Sequence, residues 1–143
     1  MGIRALIIFT DGEEYSPTTY MHWNGGDVAA ALTELFTLMA DRGTDISYGT
    51  ARFLGILHDK MPGNLSLGCF NTPPRPQGKS YEQWLTDMSH GDAGAILVDF
   101  KTGQVHCYGG YGLVIGSERF PKQAVPFQKL TTIASWHKQT VTK

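Results

Sequence analysis

Neither sign of charge predominates in this chain. Twelve Lys and Arg stand against thirteen Asp and Glu, so the basic excess that a long polynucleotide partner selects for is missing. Cysteine is scarce. Cys69 and Cys107 are far apart, with no Cys-x-x-Cys pair, which argues against a disulfide scaffold and suits a reducing, cytoplasmic compartment. Long apolar runs are missing as well: the stretch 5–9 is too short for a signal-peptide core or a membrane span. A myristoylation start is excluded because Leu6 stands where Ser or Thr is required. No internal repeat, low-complexity tract or Gly-x-Ser-x-Gly nucleophile motif is present. His and Cys never recur at a chelating spacing on one element. His106 and Cys107 are adjacent on an expected strand and face opposite sides. Neither a metal nor a cofactor is expected.

What is present suits one α+β domain with an antiparallel sheet packed against two or three helices. The chain has 143 residues, 41% of them apolar, enough to bury roughly two thirds of its unfolded surface. Residues 3–10 form an apolar, β-branched run closed by Asp11-Gly12, and a second strand is expected over 18–23. Alternation there places Tyr20 and His22 on one face and Met21 and Trp23 on the other. After the turn Asn24-Gly25-Gly26, Asp27 is a suitable N-cap. Val28, Ala31, Leu32, Leu35, Phe36 and Met39 then recur at helical spacing, with Gly43 as the stop.

A second helix is expected over 47–61, with Ala51, Leu54, Leu57 and Met61 inward and with Gly49 and Gly55 permitting close packing. A short strand over 65–70, with Cys69 in buried packing, precedes a proline-rich surface segment over 71–79. Its Pro-x-x-Pro pattern reads first as an ordinary loop. Ser80 and Gln83 form a capping box for a short helix whose apolar face is Tyr81, Trp84, Leu85 and Met88. Stretches 95–100 and 104–108 make a hairpin with Gly103 in the left-handed position. Gly109-Gly110-Tyr111-Gly112 reads as a glycine-rich turn into a strand over 113–115, and residues 125–138 carry weak helical periodicity.

The densest chemistry lies in Tyr20-Met21-His22-Trp23-Asn24, ahead of a helix N-terminus. An aromatic face, an imidazole and an amide beside unsatisfied backbone N–H groups are the equipment for holding a nucleobase together with an anionic group. Arg52, Arg75 and Lys79 are the candidate cations for phosphates, and Arg75 and Lys79 make the 71–79 segment a candidate lid. The plainer alternative is Trp23 as core and His22 bonded to a backbone carbonyl.

Tyr-x-His-Trp-Asn-Gly followed by a helix, Ala51-Arg52-Phe53 on the second helix and the late hairpin resemble a family of small phage and prophage proteins of uncharacterised function. In that family the turn usually reads His-Trp-Asp-Gly, so Asn24 departs from it. The resemblance implies a phage protein acting in the cytoplasm of a bacterial host cell, of a size that often counters host defence. The leading expectation is a binding protein, homo-oligomeric, that sequesters a nucleotide-derived signal through Tyr20, His22, Trp23, Asn24, Arg52, Arg75 and Lys79. The second is a hydrolase or phosphodiesterase on such a ligand with His22 as acid or base. A third is an inhibitor that occludes a host defence protein. No long nucleic acid and no membrane are expected as partners.

Overall fold

The computed structural model describes residues 4–22, 28–60, 66–89, 94–108 and 125–126. In chain order they form β1 (Ala5–Thr10), β2 (Thr18–Met21), α1 (Val28–Leu38), α2 (Ile46–Lys60), β3 (Leu67–Phe70), α3 (Tyr81–Met88), β4 (Gly94–Asp99), β5 (Gln104–Tyr108) and β6 (Val125–Pro126). The described strands make one sheet in the order β3-β2-β1-β4-β5-β6. Helices pack on this sheet in an α+β arrangement.

Every strand pairing is antiparallel except the central one, where β1 runs parallel to β4 with Ile7 opposite Ile96. The chain leaves β1 through a hairpin and returns to its other side only after α1, α2, β3 and α3, the kind of crossover that a parallel neighbour requires. Both central strands are buried along their whole length, because helices cover them on the two faces.

Alternation divides the core. Ala5, Ile7, Phe9, Met21, Ile96, Val98, Val105 and Cys107 face α1 and α2; Leu6, Ile8, Ala95 and Leu97 face Trp84 and Leu85 of α3. On the first face Phe9 meets Phe53 edge-on at 5.5 Å and stacks on Phe100 at 5.4 Å. α1 buries the stripe its spacing predicts. α2 does so only at Leu57: its buried residues are Gly49, Thr50, Phe53, Ile56 and Leu57, while Ala51 is exposed, Leu54 is half-buried and Met61 lies outside the described residues. The helix is turned so that the larger Phe53 and Ile56 reach the core. Gly49 makes that approach feasible, since a Cβ there would lie 2.8 Å from the Phe100 ring, whereas one at Gly55 would meet nothing within 4 Å.

α3 has its expected capping box, Ser80 accepting from the Gln83 amide and Gln83 from the Ser80 amide. In the β4–β5 hairpin Gly103 has φ 72°, and the Asp99 carboxylate accepts from the Lys101 and Thr102 amides. Two expectations are corrected. Cys69 is exposed, because β3 stands at one end of the sheet order and pairs with β2 on one side only among the described residues. Val125 and Pro126, expected to start a helix, instead pair with Val105 and Gln104. β2 ends at Met21 and β3 starts at Leu67. The Asp27 cap, the 109–112 turn, the strand over 113–115 and the rest of the tail helix lie outside the described residues.

Candidate functional site

The α3 face of the sheet gathers aromatic and titratable side chains. β2 alternation puts Tyr20 on this face, opposite Leu6, and His22 follows immediately after the strand. The two side chains meet as expected: the Tyr20 hydroxyl and His22 Nδ1 are 2.8 Å apart, and both residues are half-buried. His22 also donates its amide to the Ser66 carbonyl, which fixes the end of the strand. Trp23 and Asn24 lie outside the described residues.

At the other flank of α3 stands a second group. Tyr15 is placed by a bridge to Thr10, and its ring meets Trp84 edge-on at 5.1 Å. Its phenol acts on that of Tyr81 and helps to raise it. The Tyr81 ring lies 6.4 Å from Trp84 and 5.0 Å, edge-on, from His106 of β5. The Arg75 guanidinium sits 4.6 Å over the Tyr81 ring. Tyr108 completes the rim, so that Tyr15, Tyr20, Tyr81 and Tyr108 all pack half-buried against the Trp84 cluster. The Trp84 indole N–H is buried without an acceptor among the described residues. An indole donates only, and an unmet buried donor costs about 1–3 kcal/mol.

Burial sets the titration of this group. It raises the Tyr81 phenol above 10.0, helped by Tyr15 and Asp99 and opposed by Arg75. It raises Tyr108 as well. It pulls His106 below 6.5 against the nearby Asp99 carboxylate, leaving a neutral imidazole at pH 7. On the opposite face, complete burial pushes the Cys107 thiol well up, so that it is no nucleophile.

The candidate cations divide. Arg75 belongs to the α3 face and also donates to the Lys79 carbonyl. Lys79 pairs with Asp87, an exposed contact of the kind worth about 0–1 kcal/mol. The 71–79 segment is tied at its start by Thr72, which donates to the Ser16 carbonyl and meets the Thr18 hydroxyl at 2.7 Å. Arg52 is not part of the group. It lies on α2, across the sheet, donating to the Leu38 carbonyl and to the Asp41 carboxylate at 2.9 Å, and so joins α2 to the end of α1. That hydrogen bond lowers the Asp41 carboxyl below 3.8.

Tyr15, Tyr81 and His106 were not marked as site residues by the sequence, where Tyr15 reads as linker, Tyr81 as helix face and His106 as strand. Only the non-local packing of α3 on β4 and β5 joins them. A groove of about 410 Å³ between residues 14–17 and α2 includes Tyr15, Ser16, Ile46, Thr50 and Leu54 in its lining. Of the described sequence-derived site residues none lines it, and the charged residue in its described lining is Glu14, which disfavours an anion. Among the described residues no three His, Cys, Asp or Glu gather to hold a metal, and no helix is long and apolar enough to cross a membrane. The chain matches no family model, no curated protein and no solved structure.

Proposed function

We propose that the chain is a binding protein that sequesters a nucleotide-derived small molecule on the α3 face of its sheet. The observation that carries this is the rim of four half-buried tyrosines packed against the Trp84 cluster, with half-buried His22 beside Tyr20 and His106 beside Tyr81. A tyrosine offers an apolar ring and a polar tip. Stacking a base on such a ring contributes about 1–3 kcal/mol and tolerates different bases. Arg75 supplies a cation on the same face, with Lys79 in the adjoining segment; Arg52 plays no part. The resemblance to small phage proteins supplies the setting, a host signal withdrawn from a defence response in the bacterial cytoplasm. A homo-oligomer belongs to the same proposal, and Phe70, 45% exposed on the edge strand β3, is the feature that favours it.

A second reading, hydrolysis of the same ligand, has one observation behind it. The Tyr20 hydroxyl at His22 Nδ1 is the kind of contact that orients an imidazole for acid or base work. The test is a thermal-shift panel of cyclic and ADP-ribose nucleotides, followed by chromatography of the ligand recovered from heated protein. A raised melting temperature with intact ligand supports sequestration. A changed mass assigns hydrolysis instead, and no shift with any member removes the proposal.

A further inference from the structure

We propose that Tyr15, Arg75, Tyr81 and His106 form a subsite for a singly charged phosphodiester, so that the captured ligand is a cyclic nucleotide rather than a phosphomonoester or a diphosphate. This inference rests on the sequestration reading above and names the ligand class within it.

The first argument is the surplus of donors. The Tyr15 and Tyr81 rings both lie against Trp84, and each phenol carries one O–H, so the pair brings two donors to a third partner. The Arg75 guanidinium over the Tyr81 ring has five N–H groups, of which one reaches the Lys79 carbonyl. His106, edge-on to the same ring, is neutral and carries one N–H. The Trp84 ring, which both Tyr15 and Tyr81 contact, has an indole N–H with no acceptor among the described residues. Acceptors are fewer. The buried Asp99 carboxylate at the end of β4 already receives the Lys101 and Thr102 amides on one oxygen. A ligand that brings oxygen acceptors and no donors of its own is what such a set satisfies, and a phosphate ester is that ligand.

The second argument is charge. Tyr81 feels one cation, Arg75, and one anion, Asp99, acting in opposite directions, and Asp99 bears on His106 as well. Lys79, the next cation along the chain, is neutralised by Asp87, and the Glu82 carboxylate adds to the rise of the Tyr108 phenol. The site therefore has hydrogen-bond donors for an anion but no net positive charge to hold two. A dianion placed there meets Asp99 without a second free cation, whereas a phosphodiester brings one charge, matched by Arg75. Guanidinium over an aromatic ring also leaves its outer edge for the ester oxygens.

The experiment is isothermal titration calorimetry of the whole chain with adenosine 3′,5′-cyclic monophosphate and adenosine 5′-monophosphate, and with the guanosine pair, each pair sharing its base. The expected result is a preference of about tenfold or more for the cyclic member of at least one pair. Arg75→Ala should weaken the cyclic ligand about tenfold or more, and Tyr81→Phe several-fold, since charge-assisted contacts are lost. Arg75 is exposed, and Tyr81→Phe keeps the ring, so both variants should melt like the wild type. Equal binding within each pair, tighter binding of the monophosphates, or unchanged affinity in Arg75→Ala overturns the subsite while leaving sequestration standing. No binding of any of the four, with a thermal shift from a diphosphate such as ADP-ribose, overturns the phosphodiester assignment; no binding and no shift overturns both.

Discussion

Gly49→Ala and Gly55→Ala, the same substitution twice on α2, should move stability in opposite directions. In a helix interior alanine is favoured over glycine by about 1 kcal/mol. At Gly55 the new methyl meets nothing within 4 Å, so the full propensity gain is expected. At Gly49 the methyl would stand 2.8 and 2.9 Å from two atoms of the Phe100 ring. That ring is stacked on Phe9, with an interplanar angle of 13°, and Phe9 in turn meets Phe53. Either α2 lifts from the sheet or Phe100 leaves its stack. Overpacking of this kind costs about 1–3 kcal/mol, and a lost aromatic pair about 0.5–1.5 kcal/mol. The net expectation is a loss of about 1–2 kcal/mol for Gly49→Ala, after the propensity gain is subtracted. Urea denaturation at unchanged slope reads both values as shifts of the midpoint. If Gly49→Ala stabilises as much as Gly55→Ala, the account of how α2 approaches the sheet is refuted.

Three further outcomes follow from local geometry. Ser80→Ala removes the side chain that accepts the Gln83 amide and should lower stability by about 1 kcal/mol, again read by the urea midpoint. His106 is held below 6.5 chiefly by burial, so the unfolded chain takes up its proton first as the pH falls. Its contribution to stability is therefore complete above about pH 6.5 and declines below it. An NMR titration should place its midpoint under 6.5, and a midpoint at or above that value contradicts its burial beside Tyr81. Cys69 is exposed and Cys107 buried, so a thiol reagent should label Cys69 promptly in the native protein and Cys107 only with unfolding. Equal labelling rates would contradict the placement of the two strands.

Elements whose signals are local were legible in the sequence. The capping box at Ser80 and Gln83, the α1 stripe and the hairpin around Gly103 each depend on residues within one or two turns of chain. The phase of α2 was not, because Ala51 and Leu54 compete with Gly49 and Phe53 at equivalent helical spacing. What decides between them is the room glycine leaves for Phe100, a residue far along the chain. The parallel β1–β4 pair was hidden for the same reason, although its trace is visible: both strands read as continuous apolar runs rather than alternating ones, as two-sided burial requires. At the site, the Tyr20–His22 contact follows from strand alternation. Arg52 was drawn in by charge alone, and its position on the far helical layer ties it to Asp41 and Leu38. Tyr15, Tyr81 and His106 come from three separate segments, and no spacing rule joins them.

The central claim is that the α3 face of the sheet receives the ligand. Its most direct measurement is an NMR map of the chain, labelled on backbone amides and aromatic side chains, titrated with the nucleotide that gives the largest thermal shift. The account predicts saturable shifts concentrated on Tyr15, Tyr20, His22, Tyr81, Trp84, His106 and Tyr108, including a downfield move of the Trp84 indole proton as it gains an acceptor. Shifts confined to the groove beside Ile46, Thr50 and Leu54, or spread over the surface without saturation, would contradict it.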